Sequence, residues 1–359
     1  MNILVIGAGA IGCLVGGKLA QSGVAVTMVG RSHFADAVQA NGLTLSDQQG
    51  NQRVDNLNVA TSIRQAYNQF GSDFPLAILT VKSFDTAAAI DELRQAVEQS
   101  DSRPPVVLSL QNGVGNEEII ASVLGSTQVI AGTITTPVSI TQPGIIHIDK
   151  ARYNIGLSRW HPALSQKMFA DLQHALKAVG FTVIVYPQAI GMKWTKLLMN
   201  MVGNASSAIL DSTPEQVFSD KTLVDLEIEA WRETLRVMKA AQITPVNIGN
   251  YPFTILAPLI RYVPKPFIRG LLRKQIGGAR GGKMPSLHID LHSGKEKSEV
   301  HALNGAVVDM GRAVNMATPI NRVLTDTLIS MIGNSEKQDL WRGNTLRLIV
   351  SADEYRSRA

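Results

Sequence analysis

A lysine and two asparagines recur at helical spacing between Lys193 and Asn204. Residues i, i+4 and i+8 share one face of an α-helix, so Lys196, Asn200 and Asn204 would present an ammonium and two amides on the same side. The simpler interpretation is a solvated polar stripe on a core helix. Asparagine, however, is a mediocre helix former that gains little on a surface, so the pattern favours a binding wall for a small oxygenated ligand.

The start of the chain holds a second candidate site, a glycine-rich turn between an apolar strand and a helix. Ile3 to Ile6 is predicted to be a buried strand, and Gly7-x-Gly9-x-x-Gly12 follows it directly. In a dinucleotide-binding turn these glycines allow the tight bend, the approach of a pyrophosphate and the packing of helix on strand. The helix, predicted from Ala10 to Gln21, would point its positive N-terminus at the phosphates. The predicted cofactor contacts are Gly7, Gly9, Ala10, Ile11 and Gly12, and a turn without a ligand is the alternative.

The end of the second predicted strand, Val24 to Val29, bears on which dinucleotide would bind. An acidic residue there accepts hydrogen bonds from the adenosine ribose of NAD and repels the extra phosphate of NADP. This chain has Gly30-Arg31-Ser32 instead. A small residue leaves room for the 2′-phosphate, and the Arg31 guanidinium supplies a bidentate partner for it. The sequence therefore favours NADPH over NADH, against the alternative that Arg31 is a solvated surface charge.

Strands alternate with helical patterns in the first half of the chain, which predicts a parallel sheet covered on both faces. Leu76 to Val81 and Val106 to Leu110 are apolar runs without alternation, as expected of buried central strands. Lys82 follows the first run and Gln111-Asn112-Gly113 follows the second. Because ligands of open parallel sheets bind beyond the carboxyl ends of the strands, Lys82 is a candidate for a cofactor phosphate and Asn112 for ribose or substrate.

The pattern changes near residue 188. We expect Pro137 to Leu157 to form an antiparallel hairpin that extends the sheet, and Phe181 to Val185 to be the last strand. Helical stretches are predicted beyond it, at Ile190 to Leu210, Pro214 to Ala241, Glu299 to Met316 and Val323 to Ile332. The predicted fold is α/β, a Rossmann-type doubly wound parallel sheet followed by an all-helical C-terminal domain. The predicted domains are 1–187, which would bind NADP, and 188–359, which would hold substrate and catalytic groups.

Composition excludes several other classes of protein. The chain has 359 residues, 45% of them hydrophobic and 18% charged, which is enough for two cores of ordinary size. The single cysteine, Cys13, rules out an intramolecular disulfide. Apolar runs stay below the roughly 18 residues of a membrane-spanning helix, and no secretory leader precedes the first strand. We therefore expect a cytoplasmic protein.

The net charge of +5 conceals a basic segment, residues 234–289, that has no acidic residue. Its positive residues are Arg236, Lys239, Arg261, Lys265, Arg269, Arg273, Lys274, Arg280 and Lys283. Interleaved aromatic residues would suit a membrane surface or a nucleic acid, but prolines such as Pro258 interrupt any long amphipathic helix. We therefore interpret the basic segment as a loop with dispersed charges and expect neither a nucleic acid nor a membrane as partner.

Taken together, the motifs resemble the ketopantoate (2-dehydropantoate) reductase family along nearly the whole chain. They are Gly7-x-Gly9-x-x-Gly12, Arg31, Val81-Lys82, Gln111-Asn112-Gly113, Trp194-x-Lys196-Leu-x-x-Asn200, and Ser286-Leu-x-x-Asp290 leading to Ser298-Glu299 and Asn304-Gly305. The resemblance implies NADPH-dependent reduction of a 2-oxo acid to a 2-hydroxy acid, above all ketopantoate to pantoate in pantothenate biosynthesis. It also implies that cofactor and small-molecule substrate meet between a Rossmann domain and a helical domain.

The same resemblance implies roles for individual residues. Lys196 and Glu299 would be the catalytic pair, Asn112, Asn200, Asn204 and Ser286 would contact substrate or cofactor, and Arg31 and Lys82 would contact NADPH. An ammonium at Lys196 would stabilise the charge that gathers on the ketone oxygen and then protonate it. Glu299 would hold the nascent hydroxyl or orient the lysine. Without the resemblance, Glu299 is interpreted as a surface charge in a charged run.

Two departures from the family pattern leave alternatives open. The stretch from Val246 to Met284 is longer than in the simplest members, and the spacing from Asp290 to Glu299 is one residue longer. Both changes fall where substrate side chains would be held, so a paralogous reductase of a different 2-oxo acid is an alternative. A second alternative is an NADPH-binding regulator without turnover, but such a protein should lack the catalytic set. The oligomeric state is open, a homodimer included.

A histidine pair raises the question of a metal. His288 and His292 lie at i and i+4 with Asp290 between them. The sequence shows no third strong ligand nearby, and hydride transfer requires no metal. We therefore expect no metal site.

Overall fold

The computed structural model describes residues 1–270, 272, 283–294 and 296–358. The chain forms two compact units. The N-terminal unit consists of Met1–Gln111 and Gly115–Lys193, and the C-terminal unit of Asn112–Val114 and Trp194–Ala359.

The N-terminal unit is built on two sheets. Its strands are β1 (Asn2–Ile6), β2 (Ala25–Val29), β3 (Leu43–Asp47), β4 (Gly50–Val54), β5 (Asn58–Ala60), β6 (Leu76–Leu79), β7 (Val106–Ser109), β8 (Val129–Ile134), β9 (Val138–Gln142), β10 (Ile145–Ile148), β11 (Asn154–Arg159) and β12 (Thr182–Val185). The main sheet has eight strands in the order β12-β11-β8-β7-β6-β1-β2-β5. Neighbours from β5 to β8 pair in parallel, and β11 pairs antiparallel with β8. This is the predicted doubly wound sheet.

Both faces of the main sheet are buried. Ile3 and Val5 of β1 belong to one hydrophobic core, whereas Leu4 and Ile6 belong to another. Successive side chains of a strand point to opposite faces, so an uninterrupted apolar strand contributes to both cores. The helices of this unit are Ala10–Gln21, Ser32–Asn41, Ile63–Phe70, Thr86–Gln99, Asn116–Leu124 and Gln166–Ala178. The first of these has the predicted bounds.

The hairpin formed by β9 and β10 does not extend the main sheet, so that expectation is wrong. It lies in a second sheet of four strands in the order β4-β3-β10-β9. Ile146 of β10 pairs with Leu45 of β3 in parallel, and both side chains are buried. The main sheet is instead extended by β11, through the pairing of Ile155 with Ile134.

The C-terminal unit is helical, as predicted. After Ala189–Met201, which spans the boundary of the units, its helices are Asn204–Leu210, Pro214–Ser219, Lys221–Ala240, Phe253–Tyr262, Ser286–His292, Asn304–Ala313, Pro319–Met331, Ser335–Trp341 and Thr345–Ser357. Within its described residues, β pairing is limited to an isolated bridge between Ile248 and Tyr251. None of the helices in the described part of the chain has both the length and the hydrophobicity to traverse a lipid bilayer.

The long helix expected from Ile190 to Leu210 is interrupted, which corrects the prediction. Gly203 has φ +60°, a left-handed conformation that favours glycine. The buried Glu227 carboxylate accepts hydrogen bonds from the Gly203 N–H, at 2.9 Å, and from the Ser206 hydroxyl. Asn204 therefore begins a new helix rather than continuing the stripe of Lys196.

Candidate active site

The glycine-rich turn after β1 is tightly packed at its first and third glycines. Gly7 has φ +108°, and a Cβ there would lie 2.7 Å from the backbone nitrogen of Val81. A Cβ on Gly12 would lie 2.0 Å from the Gly7 carbonyl oxygen. The Thr80 hydroxyl donates to that same carbonyl at 2.6 Å, so the turn is anchored beyond the end of β6.

Gly9 is different, because the described protein does not require a glycine there. Its φ is an ordinary −78°, and a Cβ would come no nearer than 4.0 Å to the Thr80 carbonyl oxygen. Gly9 caps the helix Ala10–Gln21, whose first turn has neither a side-chain cap nor an acidic residue among the described residues. An open backbone at an uncapped helix N-terminus fits the approach of a pyrophosphate.

Of the two residues at the end of β2 that favour NADPH in the sequence, Gly30 and Arg31, the structure explains the first by packing. A Cβ on Gly30 would lie 2.5 Å from Phe34 Cδ1 and 2.6 Å from Ala8 Cβ, so packing already explains this glycine. Arg31 is the N-cap residue of the helix Ser32–Asn41 and is exposed. Within the described part of the chain, its guanidinium has no ionic or hydrogen-bonding partner and is available to an anion. A preference for the 2′-phosphate would therefore depend on Arg31.

A buried polar network holds the turn that carries Lys82. Gln111 Nε2 donates to the Val81 carbonyl at 2.9 Å and to the Thr86 hydroxyl at 2.7 Å. The Thr86 hydroxyl in turn donates to Asn116 Oδ1 at 2.8 Å. Lys82 itself is half-buried and precedes the short helical turn Ser83–Asp85. Thr86 and Asn116 were missed in the sequence, where each is an ordinary polar residue of a helix.

Lys193 is another residue to which the sequence assigned no role. Its side chain is buried, and Nζ lies 2.9 Å from Glu117 Oε1. Nζ also donates to the carbonyl oxygen of Gln111 at 2.7 Å and to that of Gly132 at 3.4 Å. This buried pair therefore fixes the end of β7, directly before Asn112.

Lys196, Asn200 and Asn112 lie together in the C-terminal unit. Lys196 is half-buried on the helix Ala189–Met201, and its Nζ lies 3.9 Å from Met199 Sδ. One turn further, Asn200 Nδ2 donates to Asn112 Oδ1 at 3.0 Å. The hydrogen bond joins two amides that the sequence places 88 residues apart.

The segment Asn112–Val114 also contacts the turn that begins with Glu299. The Val114 N–H donates to the Ala302 carbonyl at 3.2 Å. Gly113 has φ +81°, and a Cβ there would lie 2.4 Å from the same carbonyl oxygen. The segment is therefore hydrogen-bonded to the Lys196 helix on one side and packed against the turn Glu299–Ala302 on the other.

Glu299 is not the surface charge that its charged neighbours indicate. Only 3% of the residue is exposed, and the Ser298 hydroxyl caps its turn by accepting from the Val300 N–H at 3.2 Å. Burial of a carboxylate is costly unless it is paired or hydrogen-bonded. The position therefore indicates a functional or strongly bonded group.

Asn204 and Ser286 form a polar link between two short helices. Asn204 Oδ1 accepts from the Leu287 N–H at 3.1 Å. Its Nδ2 donates to the Asn200 carbonyl at 3.1 Å and to the Ser286 hydroxyl at 3.3 Å. The amide of Asn204 is thus largely used by the fold, whereas the half-buried Ser286 keeps a hydroxyl proton to donate.

Two cations of the basic segment are paired with carboxylates in the part that the structure describes. Arg269 Nε lies 2.6 Å from Asp225 Oδ1, and Lys265 pairs with Glu229, so the helix Lys221–Ala240 supplies both carboxylates. The loop interpretation is wrong for Phe253–Tyr262, which is helical and contains Pro258. Three further cations of the segment, Arg273, Lys274 and Arg280, lie outside the described residues.

The mostly parallel sheet, its strand order and the glycine turn define a Rossmann-type dinucleotide-binding class of protein. Residues 3–160 match the family described as "Ketopantoate reductase PanE/ApbA", and residues 188–331 match "Ketopantoate reductase PanE/ApbA C terminal". The chain belongs to this family of oxidoreductases.

Named relatives agree with this membership. The chain is 27% identical to 2-dehydropantoate 2-reductase of Pyrococcus horikoshii, over 90% of this chain and 95% of that protein. It is 28% identical to the enzyme of the same name from Halobacterium salinarum, over 91% and 97%. A crystal structure of a PanE/ApbA family ketopantoate reductase from Ralstonia eutropha JMP134 superimposes with a TM-score of 0.77 at 25% identity, covering 94% of this chain and 100% of that one.

A more distant structure shares the fold. D-mandelate dehydrogenase, solved with NADH and anilino(oxo)acetate, has a TM-score of 0.75 at 19% identity and covers 95% of this chain and 99% of its own.

Proposed function

We propose that this protein reduces a 2-oxo acid to a 2-hydroxy acid with NADPH, and that the substrate is ketopantoate, reduced to pantoate in pantothenate biosynthesis. The relatives named 2-dehydropantoate 2-reductase support the reaction class. The observation that carries the proposal is the position of Asn112, whose segment contacts both the Lys196 helix and the turn of Glu299. The N-terminal residues 1–187 would bind the cofactor, and residues 188–359 would hold substrate and catalytic groups.

Lys196 is proposed as the electrophile and general acid. Reduction of a ketone places negative charge on its oxygen, and an ammonium both stabilises that charge and supplies the proton. Half-burial of Lys196 beside Met199 strengthens this interaction, because a partly desolvated charge acts in a lower effective dielectric. Glu299, buried in its turn, is proposed to hold the nascent hydroxyl or to orient the lysine.

The amides and the serine are proposed to position the substrate. Asn200 and Asn112 share a hydrogen bond, so their two amides together form a polar wall next to Lys196. Ser286 would donate its hydroxyl to the substrate. Asn204 would act mainly by holding Ser286 and Asn200, since its amide already bonds both residues.

The cofactor fits the residues of the N-terminal unit. Gly7, Gly9, Ala10, Ile11 and Gly12 would hold the pyrophosphate at the uncapped helix N-terminus, and Lys82 would neutralise a phosphate. Arg31 would bind the 2′-phosphate, which is why we propose NADPH rather than NADH. When bound, the cofactor supplies the hydride. A cytoplasmic location, the homodimer and the lack of nucleic-acid or membrane partners stay predictions.

The test is NADPH oxidation by the purified protein with a panel of 2-oxo acids of graded size and branching, headed by ketopantoate. We expect the highest kcat/KM with ketopantoate. A much higher value for another 2-oxo acid would replace ketopantoate by the paralogous substrate. No turnover with any acid, together with tight NADPH binding, would favour the regulator instead.

Lys196→Ala tests the chemical step. Losing a positioned general acid should lower kcat by a factor of about 100 to 10,000, with little change in NADPH affinity. The matched control is Lys167→Ala, which removes an exposed lysine of the helix Gln166–Ala178. Near-normal turnover in Lys196→Ala would exclude Lys196 from the mechanism.

A further inference from the structure

Three potential metal ligands meet in the C-terminal unit at the ends of two short helices. Asp211, His288 and His292 each offer one ligand atom, and these atoms lie within 4.8 Å of one another. Asp211 comes from a position 77 residues before His288. The expectation that the histidine pair lacks a third ligand is therefore wrong.

Both imidazoles face the same carboxylate oxygen. His288 Nε2 lies 2.6 Å from Asp211 Oδ1, and His292 Nε2 lies 3.9 Å from it. The two rings stack with centroids 4.0 Å apart and planes inclined by 22°. In a tetrahedral zinc site with bonds of about 2.1 Å, ligand atoms lie about 3.4 Å apart. The two Nε2 atoms lie 2.6 and 3.9 Å from Asp211 Oδ1 and no two ligand atoms are more than 4.8 Å apart, so shifts on the order of 1 Å would reach that geometry.

The surrounding hydrogen bonds orient the ligand atoms. His292 Nδ1 lies 3.0 Å from the His288 carbonyl oxygen, to which the Nδ1–H donates. In the neutral imidazole this leaves Nε2, 3.9 Å from Asp211 Oδ1, without a proton and able to ligate a metal. A ligating histidine is usually held in this way by a backbone carbonyl or a carboxylate. Arg342 Nε donates to the other carboxylate oxygen, Asp211 Oδ2, at 3.2 Å and leaves Oδ1 to face the imidazoles.

We propose that Asp211, His288 and His292 bind a divalent transition-metal ion, with Zn²⁺ as the favoured ion. Two imidazoles and one carboxylate suit zinc and its neighbours, whereas Mg²⁺ prefers oxygen ligands alone. The ligands are partly exposed, so water completes the coordination. The site is separate from the proposed reduction, which uses no metal.

A bound ion would clamp the helix pair that carries the Asn204–Ser286 link. Asn204 begins the helix Asn204–Leu210, and Asp211 follows its end. Ser286 begins the helix Ser286–His292, whose last residue is a proposed ligand. The hydrogen bonds of Asn204 join the two helix starts, so the ion would join their other ends and fix both helices.

The test is calorimetric titration of the untagged, full-length protein with ZnCl₂ after dialysis against a chelator. We expect one Zn²⁺ per chain, a higher Tm with Zn²⁺ than without it, and no competition from Mg²⁺. His292→Ala should weaken binding by more than about 100-fold, beyond the loss caused by removal of a supporting hydrogen bond. This variant keeps the Asp211–His288 pair, so its fold should survive.

His174→Ala is the matched control, because it removes an exposed histidine of the helix Gln166–Ala178 in the other unit. It should bind Zn²⁺ as the unaltered protein does. The proposal is overturned if the unaltered protein binds no Zn²⁺, or if His292→Ala binds it as tightly as His174→Ala. Mg²⁺ binding of equal strength would likewise overturn it.

Discussion

Replacing Lys193 by methionine should destabilise the N-terminal unit strongly. The side chains of Lys193 and Glu117 are only 4% and 1% exposed. Lys193→Met would leave the Glu117 carboxylate buried without its counter-charge, which typically costs about 3–5 kcal/mol. The hydrogen bonds to the Gln111 and Gly132 carbonyls would be lost as well, but these contributions share one ammonium and do not simply add.

The measurement is urea unfolding followed by far-UV circular dichroism. Lys167→Met is the matched control, because Lys167 pairs with Asp171 at a similar 2.8 Å but is 85% exposed. Exposed pairs contribute about 0–1 kcal/mol, so the control should be nearly neutral. The double variant Lys193→Met/Glu117→Leu should recover part of the loss, because it removes both charges.

A kinetic measurement adds to this test. Lys193 holds the Gln111 carbonyl at the end of β7, so the folded variant should also show a lower kcat through displacement of Asn112. The buried ion pair does not stabilise the unit as proposed if Lys193→Met lowers the free energy of unfolding no more than Lys167→Met does. A loss that the double variant only deepens would also contradict the role given to the ion pair.

Three further predictions follow from single features. In calorimetry, Arg31→Ala should weaken NADPH binding by about 10- to 150-fold and leave NADH binding unchanged, because a charge-assisted hydrogen bond contributes about 1.5–3 kcal/mol. Equal affinity of the unaltered protein for both cofactors would contradict the assignment of NADPH. Burial raises the pKa of the Cys13 thiol to about 12, so a thiol reagent at pH 8 should label the unfolded chain once and the native protein hardly at all. Rapid labelling of the native protein would show that Cys13 is accessible. Because Lys265 and Arg269 are already paired with Glu229 and Asp225, binding to acidic vesicles or DNA should be negligible at about 150 mM salt. Robust binding that Arg269→Glu abolishes would instead support a membrane or a nucleic acid as partner of the basic segment.

Local patterns predicted the elements that lie close together in sequence. The run from Asn2 to Gln21 contains a strand, a turn and a helix whose signals need no distant partner, and its helix was predicted at the observed bounds. In the small second sheet only the hairpin of β9 and β10 had such a local signal. The pairing of β10 with β3 had none, because about a hundred residues lie between the two strands. The residues of β4 are mostly exposed and polar, so they lack the apolar alternation that marks a strand.

In the candidate site, local sequence patterns also could not predict which side chains contact each other. Lys193 and Lys196 stand three positions apart in one helix, yet the first is buried against Glu117 and the second faces Met199. Helical spacing alone does not tell which lysine has a buried counter-charge. Similarly, the break at Gly203 depends on Glu227, and the ligand cluster depends on Asp211, both far away in sequence from the residues they contact.

The segment Asn112–Val114 affects how domain chimaeras between relatives should be made. It belongs to the C-terminal unit, although the chain on both sides of it belongs to the N-terminal unit. A chimaera joined only at the Lys193–Trp194 boundary would therefore pair a foreign loop with the native Asn200 and Ala302. Recombination within the family should yield active hybrids when the segment Asn112–Val114 and the helical unit come from the same parent. Such a hybrid requires two exchanged segments instead of one.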